Sequence, residues 1–245
     1  MMTSWSWLKR GHGSKAGALM FLCMSCGPMA AQSLMFTPVP GGVALPDGTG
    51  VGYATAQVVT TMPVAVQDLR VRLIVDGGVG GMINGDVYAT LAYQPSAGSP
   101  ITAFAVLLNR PGRDVGAGNE DGYYDNGLNI SLGTTGPDVH TYQTQTVPAV
   151  GGPLTGSWAA DGRDVDPNDV VVGTSRTAGL DAFQGLNPNG VWTLYVEDTM
   201  PGGLARLTGW GLEWTPVPVP EPGAFGSILG GLSLGFGFWV RRRGT

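Results

Sequence analysis

Lysine is missing from the body of this 245-residue chain: Lys9 and Lys15 lie within the first fifteen residues, and none follows. A phosphate-cradling GxxxxGK(S/T) loop is therefore excluded beyond that point, and so is the dense Lys/Arg surface that nucleic acid requires. Between residues 32 and 222 stand seven arginines against eighteen acids, a net charge of −11. Such a surface suits cations, or simply keeps an exported protein soluble. Cysteine is equally scarce. Cys23 and Cys26 are the only two, both inside an N-terminal apolar stretch. A chain that has lost that stretch is held by core packing and not by disulfides.

Histidine is limited to His12 and His140. A zinc site built on several histidines or cysteines is excluded by that count. No HExxH or GxSxG motif occurs, and a Ser-His-Asp triad in the body could use only His140. His140 lies in VHTYQT, which reads as a strand, and is expected to be a surface or packing residue. Paired acids could do glycosidase work, but Glu120, Asp121, Glu197 and Asp198 fall at expected strand ends or in Gly-rich loops, where acids are commonly solvated. The chain is expected not to be an enzyme.

Long helical periodicity is absent between residues 40 and 215. What is there instead is alternation. Leu69, Val71, Leu73 and Val75 face one way and Arg70 and Arg72 the other. Val87, Ala89 and Leu91 share a face, as do Phe104, Val106 and Leu108. Trp192, Leu194 and Val196 form a third set, and Trp210, Leu212 and Trp214 a fourth. Period-two runs separated by turns, in a chain with 41 glycines and 18 prolines, predict an all-β, antiparallel β-sandwich. Gly202-Gly203 fits a turn ahead of Leu204.

The two ends read as addresses. A basic region through Lys15, the apolar run AGALMFLCMSC and the small residues of GPMAAQ form a signal peptide, with cleavage expected after Ala31. A lipoprotein reading would use Cys26. At the other end, residues 223–240 are uncharged and largely apolar. As a helix they would span roughly 27 Å, near the thickness of a bilayer core, with Arg241, Arg242 and Arg243 on the cytoplasmic side. A Pro-rich spacer, TPVPVPEP, precedes them.

Calcium is the best metal expectation, because it takes six to eight oxygens at flexible geometry. Asp114, Asn119, Glu120, Asp121, Asp125 and Asn126 offer six oxygen-bearing side chains on one Gly-rich loop, and Asp76 and Asp86 could converge on it. A second acidic tract, Asp161, Asp164, Asp166 and Asp169, is the lesser choice. Either loop could equally be an acidic turn held by its own Asx hydrogen bonds. Trp158, Tyr123 and Tyr124 could stack on a sugar ring or could close the ends of the sandwich.

Two family resemblances complete the reading. Val219-Pro220-Glu221-Pro222, the apolar stretch and the arginine cluster closely resemble a PEP-CTERM sorting signal. That implies a Gram-negative host, transient residence in the inner membrane, cleavage near the motif by an exosortase, and delivery to the cell surface or exopolysaccharide matrix. A permanent tail anchor is the alternative. The body resembles the P/Homo B domain of proprotein convertases in its ALPDG start, Gly85-Asp86-Val87, the loop GAGNEDGYYDNGLNISL and the closing GVWTLYVEDTMPGGLARLTGWGLEW. The chain departs from that pattern at Asp76-Gly77-Gly78, at Val87 and at Leu132-Gly133. The resemblance implies a galactose-binding-like jelly roll, and calcium is often bound in that family. The expected organisation is a signal peptide at 1–31, a lead-in at 32–43, the sandwich at 44–215, a Pro-rich linker at 216–222, and a transmembrane helix with its Arg tail at 223–245. A non-catalytic binding or structural protein is expected, with exopolysaccharide or matrix proteins as partners. A protease-associated accessory domain and a glycan-binding adhesin are the alternatives. Only a dozen residues separate Gln32 from Leu45, so no peptidase domain is expected ahead of the sandwich.

Overall fold

The computed structural model describes residues 31–36, 41–62, 64–78 and 80–218. The expected leader ahead of Ala31, both cysteines, the motif at 219–222, the apolar stretch at 223–240 and Arg241–Arg243 lie outside the described residues. Among the described residues no helix is long and apolar enough to cross a membrane.

Among the described residues ten strands build two sheets. They are β1 (Gln32–Phe36), β2 (Val43–Ala44), β3 (Tyr53–Val59), β4 (Val64–Gly77), β5 (Val87–Gln94), β6 (Ala103–Asn109), β7 (Leu128–Asp138), β8 (Leu154–Ala159), β9 (Gly190–Asp198) and β10 (Ala205–Pro218). One sheet runs β1-β10-β4-β7-β8, with β2 also on β10; the other runs β3-β9-β5-β6. All pairings are antiparallel except β7 with β8. The protein is therefore all-β, with two sheets sharing one buried core.

Alternation places the core as expected in four runs. Leu69, Val71, Leu73 and Val75 on β4 are buried, as are Val87, Ala89 and Leu91 on β5, Trp192, Leu194 and Val196 on β9, and Trp210, Leu212 and Trp214 on β10. Trp192 lies against Phe183 and Tyr93, at 5.3 and 4.8 Å between ring centroids. Burying one such ring contributes ~2–3 kcal/mol from area alone. The apolar series on one face of each strand makes the register fixed, since a one-residue slip would expose every one of these side chains.

β6 departs from the expectation. Phe104 is only half-buried, and Ala103, Ala105 and Leu107 join the core. The register with β5 shifts between Ala89 and Thr90, so Ala89 faces Leu108 while Thr90 faces Val106. Such a bulge resets which side chains point inward, and six apolar residues in succession carry no alternation to reveal it. The far edge of β6 is closed by residues 160–178: Asp161 and Gly162 donate to Leu107 and Val106 carbonyls, and Val106 donates to Ala178. That covers what would otherwise be an open edge.

Candidate functional site

The Gly-rich loop expected to carry the site connects β6 to β7 and folds over the turn that precedes β5. Asn84–Asp86 form one turn of 3-10 helix. Gly85 donates to the Tyr123 carbonyl at 2.9 Å, and Asn84 donates to the Asp125 carbonyl at 3.0 Å. A β-carbon on Gly85 would collide with the backbone at Asp121–Tyr123; only glycine allows the two segments this close approach. The side chain of Asn84 fastens the same junction, accepting from Gly127 N–H and donating to Tyr142 Oη and the Gly127 carbonyl.

The loop spends most of its polar groups on itself. Asp125 Oδ2 accepts from Tyr142 Oη at 2.6 Å and from Gln143 Nε2 at 2.7 Å. Asp121 accepts from the Tyr124 hydroxyl. Asn126 Oδ1 takes the Met82 N–H at 3.0 Å, and Asn119 Nδ2 donates to the Gly112 carbonyl. Asp76 is exposed on β4, opposite Arg206. Asp114 and Glu120 are the two loop carboxylates with no side-chain hydrogen bond among the described residues. No group of three or more His, Cys, Asp or Glu among them is gathered so as to hold a metal ion. Four of the six members thus make side-chain hydrogen bonds to protein partners, and Asp114 and Glu120 are the carboxylates of the set that do not.

Asp86 is different. It is 3% exposed and sits 3.7 Å from Arg110, with no side-chain hydrogen bond among the described residues. Burial pushes its carboxyl up to about 7; Arg110 works the other way, while Asp198, Asp121 and Asp47 add to the rise. Asp198, expected as a solvated strand-end acid, is buried and is likewise pushed up to about 6 by burial and by Asp47, against the N–H groups of Ala205 and Met200. Its burial has a plain cause: the strand does end there, but the Ala205 N–H turns back onto Asp198 Oδ2 at 3.3 Å, and Asp47 bridges to Asp198 alongside. Asp47 takes the Gly202 N–H at 3.1 Å, and Gly202 holds φ +129°, as expected of that turn. Three carboxylates thus share one field, each turned to a different partner. Arg110 is a buried cation beside Asp86. It also donates to the Gly85 and Glu120 carbonyls, and burial lowers its pKa.

His140 sits in a 3-10 turn, Val139–Thr144, and not in a strand; Asp138 caps the His140 N–H. It is fully buried, as a packing residue. Nδ1 faces Asp161 Oδ2 at 2.9 Å and Nε2 faces the Arg113 carbonyl at 3.1 Å. Arg163 binds Asp161 and Asp138 together. Burial would raise Asp138, but the Arg163 and His140 hydrogen bonds outweigh it and hold its carboxyl below the usual range. The second acidic tract is split accordingly: Asp161 is buried in this network, while Asp164, Asp166 and Asp169 are exposed. Trp158 is a strand residue of β8 and 5% exposed, its Nε1 donating to the Thr155 carbonyl. It packs edge-on to Tyr142, which in turn packs on Tyr123. These rings close the core beneath the loop; only Tyr124 is exposed.

No family model matches the chain, and no curated protein matches it. Among solved structures, the serine protease of Aeromonas sobria aligns with 14% identity and a TM-score of 0.37, and a chain in the complex of that protease with its chaperone aligns with 14% identity and a TM-score of 0.35. Each alignment covers 76% of this chain and 27% of the other, so the chain spans about a quarter of the length of the proteins it matches.

Proposed function

We propose that this protein is a non-catalytic β-sandwich of jelly-roll, P/Homo B type. On this reading it is exported, handled by an exosortase and delivered to the cell surface or exopolysaccharide matrix, where it binds or builds. The order Pro220-Glu221-Pro222, apolar stretch, Arg241–Arg243 carries the proposal. The site supports its non-catalytic part. The imidazole nitrogen that would have to take a serine proton faces a backbone carbonyl. The intact mass of the extracellular form tests the route. It should lack both the residues before Gln32 and the residues after Pro222. Extracellular protein that retains 223–245 would overturn it.

Calcium belongs to this proposal only through Asp114 and Glu120, with loop carbonyls completing the shell. Two free carboxylates make a weak site, in the range of about 10⁻⁴–10⁻³ M seen for extracellular modules.

A further inference from the structure

A groove of about 660 Å³ crosses the outer face of the four-stranded sheet, and no residue of the loop at 111–127 lines it. The register of β5 with β9 builds its floor: Tyr88 lies directly across from Glu197 and diagonally from Tyr195. The two tyrosine rings stand 6.3 Å apart at 69°, two walls of a corner. Tyr195 is fixed there, accepting from the Gly52 N–H at 3.0 Å and donating to Glu197 Oε2 at 2.6 Å. The Tyr88 hydroxyl has no hydrogen-bond partner among the described residues.

The facing wall is the segment carrying Asp164, Asp166 and Asn168. It is anchored from below, because buried Asn109 donates to the carbonyls of Arg163 and Val165 at 2.9 and 3.0 Å. Asp166 caps the Asn168 N–H, whereas the Asp164 carboxylate is exposed and free of hydrogen bonds among the described residues. Three carboxylates and two aromatic rings line the groove, and no basic side chain does. Burial and then these same acids raise the Tyr88 hydroxyl, as a negative field requires. Rings set at an angle with acids at the rim recognise a cation that also carries carbon surface: the ring faces attract the charge and the acids add to it. A bare metal ion would leave the rings unused.

We propose that this groove binds a protonated amino-sugar chain. The ammonium groups would lie against Asp164, Asp166 and Glu197, and the apolar pyranose faces against Tyr88 and Tyr195. This rests on the reading of the protein as matrix-directed, which supplies a polysaccharide as the carrier of the amine. The groove is several times the size of one ammonium group, so it takes a stretch of chain.

The test uses the purified full-length chain in detergent at physiological salt and mildly acidic pH, where sugar amines are protonated. Calorimetry compares a glucosamine oligomer, its N-acetylated counterpart and an oligolysine of equal charge. The free-amine oligomer should bind at least about tenfold tighter than the other two. Asp164→Asn and Tyr88→Leu should each weaken it by about three- to fivefold. Asp164 is exposed, so that variant keeps the fold. Equal binding of the acetylated form, no binding at all, oligolysine binding as tightly, or variants that leave affinity unchanged would each overturn the proposal. Export is read separately from the mass of the released protein, so failure here leaves that result standing, and the reverse.

Discussion

Asp86→Asn should flatten the pH dependence of stability and make the protein more stable at alkaline pH. In the folded protein the Asp86 carboxyl titrates at about 7, against an ordinary 3.8. Ionising it therefore costs more in the folded state than in the unfolded chain. The sign follows: stability from this group is full below about pH 4, falls as pH rises through about 7, and is level above. Three units at ~1.4 kcal/mol each set an upper figure of about 4 kcal/mol. Arg110 loses its charged partner in the variant but keeps the Gly85 and Glu120 carbonyls, so the gain should be about 2–4 kcal/mol at pH 8 and close to nothing at pH 4. At about 2–4 °C per kcal/mol that is roughly 4–16 °C in Tm. Urea unfolding followed by tryptophan fluorescence, at several pH values between those limits, measures it. The net charge of −11 over residues 32–222 differs between the two proteins only at Asp86, so their difference isolates that group. Parallel curves for the two proteins would refute the reasoning, as would a wild type more stable than the variant at pH 8.

Asp198→Asn should behave likewise with a smaller amplitude. Its window runs from about pH 4 to about 6, and the double variant should gain less than the sum, because each carboxylate ionises against the other. Arg110→Met should destabilise most above pH 7, where Asp86 would otherwise be ionised beside it, and least at pH 4, where Asp86 is protonated and only the bonds to the Gly85 and Glu120 carbonyls are lost; equal losses at both pH values would contradict the pairing. His140→Ala should cost about 3 kcal/mol or more by stripping a hydrogen bond from buried Asp161 and opening a cavity, and a Tm equal to wild type would contradict the network. Calcium at about ten times its dissociation constant should stabilise by ~1.4 kcal/mol, a Tm rise of about 3–6 °C that Asp114→Asn with Glu120→Gln removes; identical melting in chelator and in calcium would exclude the site.

The strands were legible because burial on one face writes itself into every second residue. Val71 and Leu73 are read without any knowledge of their neighbours. The bulge in β6 was not legible, because Ala105, Val106, Leu107 and Leu108 are all apolar and the shift against β5 depends on the partner strand. The loop at 111–127 could be read as oxygen-rich but not as self-satisfied. That Asp125 serves Tyr142 and Gln143 depends on a turn that joins the chain after β7. A carboxylate count cannot tell ligands from caps, since Asp and Asn bond backbone and cations through the same oxygens.

Asp198 and Tyr195 show where sequence periodicity does carry further. Both lie on β9, in WTLYVED, at positions of opposite parity. Tyr195 and Glu197 point outward and build the groove, while Trp192, Leu194, Val196 and Asp198 point inward. An acid continuing the inward series of a strand is thus predicted to be buried, and it needs a partner or a proton. Here it receives backbone N–H groups and a raised pKa. The outward series of the same strand reads as a surface feature only when β5 is laid beside it, because Tyr88 reaches Tyr195 diagonally across the ladder. The alternation fixes which residues share a face. The pairing alone decides which of them meet, and both the buried acid cluster and the aromatic corner are products of pairing.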